Sequence, residues 1–512
     1  MTGHPVHPER SGAQRRGVEG RLAIAAAVLL LACGGARPKP DAAAAPASTA
    51  AAKPVAPAGP DRSQVPQPGP APALKVPPQR HFQLANGLKV RLVEYRKLPI
   101  VALHLAVDAG AVHDPPARPG VASFSAAMMT EGTQRRSATR ISDDLGFIGA
   151  SLAAGASFDS ASLSASVLTT HLDELLDIFA DVLVNPSFPP GDFARVQDAR
   201  LVSLLQQRDQ PGAVAAKAFA HAYWGDHPYG HWIMGTEQSV KALTRQDLVR
   251  YHAARWRPAV SELVVVGDVT EDQLRAKLER ALAGWTGEPP AAAPQKAAKP
   301  PERRALLIQK RGPAPQAFVM MGMPGFPRSS PDYVAAEVAA QVLGGGSASR
   351  LFRDLREKEG YTYGIYSRAE ARRMGGTTFI VGSVKAEVTG AATRALLRQL
   401  DALAQEPVPE AELAVAKNGL LLSLPGDFAV AAGIAGKVAE EVVYGLPDAY
   451  WNQYADQVAQ VTGADVQRVA RQYFDPSRLT TVMVCDTASV KPQLAGLPLG
   501  PIEVRKEGVS GP

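Results

Sequence analysis

Arg356 and Tyr363 stand seven residues apart in the stretch Leu343–Tyr366, LGGGSASRLFRDLREKEGYTYGIY. A guanidinium and a phenol can both donate hydrogen bonds to a carbonyl oxygen that is gaining negative charge. Leu351, Phe352, Leu355 and Lys358 fall at helical spacing behind Ser349 as N-cap, and Gly360 stops the helix. Tyr361 to Tyr366 then reads as a strand. One side chain late on the helix and the other on the strand can converge across the turn. Upstream, Gly344, Gly345 and Gly346 give a backbone able to approach another chain closely, which makes them candidate substrate-binding residues. The same spacing also suits an ordinary helix–turn–strand with a solvated charge cluster. A phosphate loop is excluded, because no Gly-Lys-Ser/Thr closes the glycines.

The rest of the chain must position that stretch. Strand-like alternation covers Leu88–Leu92, behind the Asn86-Gly87 turn, and Ile100–Val107. Helical patterns follow over Val121–Met129, Ile141–Ile148, His171–Leu183, Phe193–Gln207 and Ala213–Tyr223, with a strand at Leu163–Leu168. Leu263–Val266 closes the unit as a buried strand. Residues 286–303, TGEPPAAAPQKAAKPPER, read as a Pro/Ala-rich linker. Beyond it the pattern repeats. At an offset of 218 residues Thr244 lands on Thr462, Asp247 on Asp465, Trp256 on Phe474, Pro258 on Pro476 and Asp268 on Asp486. Matches at one fixed offset argue for a duplicated domain.

The chain is 46% hydrophobic and 20% charged over 512 residues, enough apolar material for more than one core. A net charge of +6 with no Lys/Arg block gives no nucleic-acid argument. Leu22–Ala32 is an apolar run behind a basic leader, too short to span a bilayer, and reads as a signal-peptide core. It ends Leu30-Leu31-Ala32-Cys33-Gly34, which looks like the lipobox of a bacterial lipoprotein with Cys33 as the acylated residue. Cys485 is then left alone, so no internal disulfide is available. Residues 33–78, mostly Ala, Pro, Lys and Gly, cannot bury enough apolar surface to fold and read as a tether.

The words LGGGSASRLFRDLREKEGYTYG, Gln316 upstream and YGLPDAYWNQYADQVAQVT downstream resemble the C-terminal half of the insulinase-like (pitrilysin-type, M16) zinc peptidases. The resemblance runs from about His81 to Asp486. It implies two homologous α+β domains, each a sheet with helices packed on it, here over residues 79–285 and 304–490, with 491–512 as a tail. It also implies that Arg356 and Tyr363 match the family's Arg/Tyr pair, which contacts the substrate across from the zinc.

The family's zinc motif is an inverted one, His-x-x-Glu-His on a helix, with the Glu as general base. GVASFSAAMMTEGT resembles its flanks, and aligning Gly120, Ala122, Gly132 and Thr133 puts Ser123 and Ala127 at the two histidines and Ala126 at the glutamate. No glutamate occurs between Glu174 and Glu237, where the third ligand belongs; Ser203 and Gln206 stand there instead. His227 and His231 in DHPYGH are interrupted by Pro228 and Gly230 and read as a structural turn.

The resemblance therefore implies a chain that binds no metal itself, the non-catalytic subunit of a heterodimeric zinc endopeptidase, and the lipobox at Cys33 adds the expectation of a lipid anchor at the outer membrane, facing the periplasm. A partner with His-x-x-Glu-His would carry Zn²⁺, and a peptide or unfolded protein would be the substrate. The alternative is an inert pseudo-peptidase used for binding or assembly.

Overall fold

The computed structural model describes Ser63 and residues 75–290, 302–310 and 312–506. Cys33, the signal-peptide core and most of the tether and linker lie outside the described residues.

Two six-stranded mixed sheets carry the fold. The first holds β1 (Gln79–Gln83), β2 (Lys89–Glu94), β3 (Ile100–Val107), β4 (Ser151–Ala156), β5 (Ala161–Leu168) and β6 (Ser261–Gly267), in the order β1-β2-β6-β3-β5-β4. The second holds β7 (Arg304–Gln309), β8 (Gln316–Pro324), β9 (Thr362–Arg372), β10 (Gly375–Lys385), β11 (Thr480–Cys485) and β12 (Ile502–Arg505), in the order β12-β7-β11-β8-β10-β9. β2 pairs parallel with β6 and β7 with β11, while β3 and β8 run antiparallel to those same partners. This is the duplication read at the offset of 218. Thr244 and Thr462 each close a capping box with Asp247 and Asp465, and Trp256 and Phe474 are both fully buried. The copies differ at one edge. β1 precedes β2 and is antiparallel to it, whereas β12 comes from the chain's far end and runs parallel to β7. The sequence reading placed residues 491–512 in a tail; β12 puts part of them in the sheet.

Helices of the first domain are α1 (Val121–Met128), α2 (Ala138–Phe147), α3 (Leu172–Val184), α4 (Pro190–Gln206), α5 (Pro211–Trp224), α6 (Glu237–Ala242), α7 (Arg245–Arg255) and α8 (Glu271–Leu282); α9 (Tyr333–Gly344) opens the helical layer of the second. Each domain lends a helix to the other. α5 lays Ala215, Phe219 and Tyr223 on Leu306, Ile308, Val482 and Val484 of the second sheet. The helix Ala431–Tyr444 packs in return on β3 and β6. The far face of each sheet is thus covered by the other copy, and the two domains share buried apolar surface.

A buried carboxylate sits at this seam. Glu441 is 1% exposed, accepts from Gln79 Nε2 at 2.6 Å and lies 3.8 Å from the Arg91 guanidinium. Burial outweighs both neighbours and pushes its pKa up to about 7. Between the ordinary carboxylate range and that value, the folded chain keeps a proton the unfolded chain has released. Stability contributed by this group is full below that window and falls as pH rises through it. Glu441→Gln should raise the unfolding free energy at pH 8 by on the order of 1–2 kcal/mol and change little at pH 5. Thermal unfolding across that range checks it; a pH profile identical to wild type would refute it.

Candidate functional site

The segment carrying Arg356 is a π-helix, Phe352–Lys358, where the sequence spacing predicted an α-helix. π-helical turns are rare and cluster at functional sites. Ser349 is not an N-cap acceptor as expected; its hydroxyl donates to the Gly346 carbonyl at 2.6 Å and pins the glycine turn. Leu355 is fully buried beneath the segment. Arg350 and Arg353 reach back to Glu412 at 2.8 and 2.6 Å, and Gln399 Nε2 donates to Asp354 at 2.9 Å. Gly360 then reverses the chain at φ +64°, and the Tyr361 amide closes on the Leu355 carbonyl at 2.8 Å.

On the opposite side this scaffold presents a stack. The Arg356 guanidinium carbon lies 4.6 Å from the Phe352 ring centroid and 4.5 Å from that of Tyr363. The convergence expected across the turn is therefore present, as a guanidinium within cation–π distance of two aromatic rings. Stacking uses the faces of the guanidinium plane and leaves its N–H edges free to donate. Tyr363 is 79% exposed, and among the described residues neither its side chain nor that of Arg356 spends a hydrogen bond on the protein. Two unspent donors on a braced segment suit an incoming carbonyl.

The three glycines divide. Gly344 ends α9, is buried, and approaches β9 so closely that a Cβ would lie 2.3 Å from the Ser367 nitrogen. Its role is packing, and contact with a substrate is closed to it. Gly345 is exposed, Gly346 half-buried, and a Cβ on Gly346 would meet open space. Gly344→Ala should cost about 2–3 kcal/mol in urea unfolding, with Gly346→Ala within about 0.5 kcal/mol of wild type; equal costs would contradict this division.

In the first domain, α1 carries Ser123, Ala126 and Ala127. Ser123 Oγ donates to the Ile233 carbonyl at 2.6 Å, and Ala126 is fully buried. Sequence reasoning looked on α4 for a lost ligand and missed what replaced it. Arg200, one helical turn before Ser203, sends Nη1 to Ser123 Oγ at 2.8 Å and to the Met234 carbonyl at 3.3 Å. Its guanidinium lies 4.8 Å from the Phe124 ring centroid, and that ring stacks on Phe193. Burial lowers its pKa to about 10, which leaves it charged at neutral pH. A hydroxyl already donating, two methyl groups and a guanidinium do not fit Zn²⁺. The usable signal was an arginine three residues before Ser203, on the same face of the helix.

Two family models match the chain: Insulinase (Peptidase family M16) over residues 90–237 and Peptidase M16 inactive domain over 242–420. The chain belongs to the insulinase-like M16 peptidase family. Among curated M16 relatives, an uncharacterized zinc protease of Mycobacterium bovis is 28% identical over 78% of this chain and 91% of its own length. One of Streptomyces coelicolor is 26% identical over 77% and 86%. A crystal structure of a peptidase M16 inactive domain from Pseudomonas fluorescens superposes with a TM-score of 0.75, at 28% identity, over 80% of this chain and 97% of its own. A protease from Helicobacter pylori shares the fold, with a TM-score of 0.74 at 20% identity over 80% of this chain and 99% of its own.

Within this M16 chain the His-Pro-Tyr-Gly turn is a clasp between domains. Tyr229 is fully buried; its hydroxyl donates to Asp159 at 2.5 Å and accepts from the Met374 amide at the β9–β10 turn. The neighbouring Arg373 reaches Asp108 at 2.7 Å. His231 pairs with Asp114 at 3.2 Å, and His227 Nδ1 accepts from the Tyr229 amide at 3.1 Å. The two histidines are spent in different directions, as a structural turn requires.

Proposed function

We propose that this chain is the non-catalytic subunit of a heterodimeric M16-type zinc endopeptidase. A partner bearing His-x-x-Glu-His supplies Zn²⁺, the water and the base. Arg356 and Tyr363 bind the substrate carbonyl and stabilise the oxyanion that forms on it. The observation that carries this reading is the Phe352–Arg356–Tyr363 stack, held from behind by Glu412 and open to solvent with its donors unspent. The donor set around Ser123 supports it from the other side, because it leaves this chain without hydrolytic machinery of its own in that cleft. Gly345 and Gly346 flank the peptide's path. Cys33, lipidated, would hold the assembly at the outer membrane, facing the periplasm.

The test is peptidase activity on a denatured protein, with this chain alone, the candidate partner alone, and the two mixed. Activity that needs the mixture supports the shared site. A mixture no more active than the partner alone sinks it and leaves a binding or assembly scaffold.

A further inference from the structure

Arg200 differs from the other arginines held inside the fold. Arg328 sits 2.9 Å from Glu440, Arg350 2.8 Å from Glu412, and Arg91 beside Glu262. Arg200 is 9% exposed and has no carboxylate within ion-pair distance among the described residues. The acid that acts on it from further off, Asp114, is already committed: it accepts from the Gly120 and Ala122 amides at 2.6 and 2.9 Å and from His231 at 3.2 Å. Among the described residues only Nη1 of the guanidinium is hydrogen-bonded, and Nε and Nη2 are not among the buried atoms left without a partner, so they are open to a ligand.

The loop that holds Arg200 and the end of its own helix also carry unspent polar groups. That loop gives its Ile233 and Met234 carbonyls to Ser123 and Arg200. On that loop the indole N–H of Trp232 is buried without a partner, and so is Oε1 of Gln207, whose Nε2 lies 3.6 Å from Met234 Sδ. The Lys217 ammonium stands 5.4 Å from the Trp232 ring centroid and adds positive charge. Asp114 acts on Arg200 only from beyond contact distance, and Glu237 is held by Arg208 at 2.6 Å, so neither takes up the spare N–H groups. With Ala126 at the glutamate's position, the residue there supplies no carboxylate either.

We infer that the junction of α1 and α4, where Arg200 meets Ser123 at the position of the family's zinc motif, is an anion site that takes a peptide carboxylate on the free N–H groups of Arg200. The site has changed the sign of its ligand: where a metal would attract a carbonyl or water, a guanidinium selects a side-chain or C-terminal carboxylate by charge and by paired hydrogen bonds. This rests on the reading that the chain handles peptides.

Three short unstructured peptides test it by fluorescence anisotropy against the full chain: one neutral with an amidated end, one with a single Glu and an amidated end, and one neutral with a free C-terminal carboxylate. One of the two carboxylate peptides should bind at least about tenfold tighter than the neutral peptide. The preference should vanish in Arg200→Gln and persist in part in Arg200→Lys. A purely structural Arg200 would lower the unfolding midpoint of Arg200→Gln without altering the ratio between peptides. Equal binding of all three, no binding at all, or a preference intact in Arg200→Gln overturns the inference. The wild-type comparison decides it even where the variant does not fold. Turnover of the mixed assembly is read separately, so loss of the shared-site reading and loss of this one are told apart.

Discussion

Tyr363→Phe is expected to lower turnover of the mixed assembly by about 10²–10³, with the fold of this chain unchanged. The substitution removes one oxygen. The ring remains, so its contact with the Arg356 guanidinium at 4.5 Å remains, and so does the position of the π-helical segment. Because the side chain is 79% exposed and its hydroxyl bonds nothing in the described residues, no buried partner is left unsatisfied. The unfolding midpoint should stay within about 0.5 kcal/mol of wild type. The loss should fall on kcat with little change in KM, since a donor aimed at a developing oxyanion acts chiefly in the transition state. Arg356→Lys should be comparably damaging despite keeping its charge, because an ammonium neither stacks between Phe352 and Tyr363 nor offers a forked pair of donors. A Tyr363→Phe assembly with kcat within twofold of wild type would remove the pair from the chemistry and leave the scaffold reading.

Much of this fold was legible in the sequence because duplication doubled every signal. The Thr-x-x-Asp caps, the buried Trp256/Phe474 pair and the apolar closing strands each occur twice, and β3 lies where alternation placed it, at Ile100–Val107. β4 was not read, since Ser151–Ala156 is a run of small residues whose pairing with β5 rests on backbone hydrogen bonds. β12 was missed because its partner β7 lies about two hundred residues upstream and only tertiary pairing marks it. The π-helix was out of reach because its side-chain pattern over seven residues is also that of an α-helix. At the candidate site, the convergence of Arg356 and Tyr363 was legible from residue type and spacing, and their pairing from the family resemblance. Arg200 was not, because the search asked which ligands were lost and not which charge replaced them. The exchange of α5 and Ala431–Tyr444 between domains left no trace in the sequence: Ala213–Tyr223 reads only as a helical pattern, and Ala431–Tyr444 was not read.

That exchange gives the largest expected effect on stability. Phe219 of α5 is 4% exposed, and its ring lies against Gly322 of β8 so closely that a Cβ there would fall 2.1 Å from it. Tyr223, one turn on, stacks on the Phe219 ring at 5.2 Å between centroids and donates to the Met323 and Gly376 carbonyls at 3.4 and 3.3 Å. Phe219→Ala should therefore cost about 3–5 kcal/mol, through lost burial and the cavity left behind. Gly322→Ala should also destabilise, because the methyl group drives into the ring. In the double variant the added methyl occupies part of the space the ring vacates, so the combined cost should be clearly smaller than the sum, with a coupling of about 1 kcal/mol or more. Each domain has a sheet face covered only by the other's helix, so wild type should unfold as one unit, by fluorescence and circular dichroism alike. Phe219→Ala should lower that transition and leave it single, since Ala431–Tyr444, a helix of the second domain, still packs on the first sheet and the Tyr229 clasp remains. Additive costs would show that the Phe219 ring and Gly322 do not compete for the same space, and a split transition would show that the exchanged helices do not hold the two domains together.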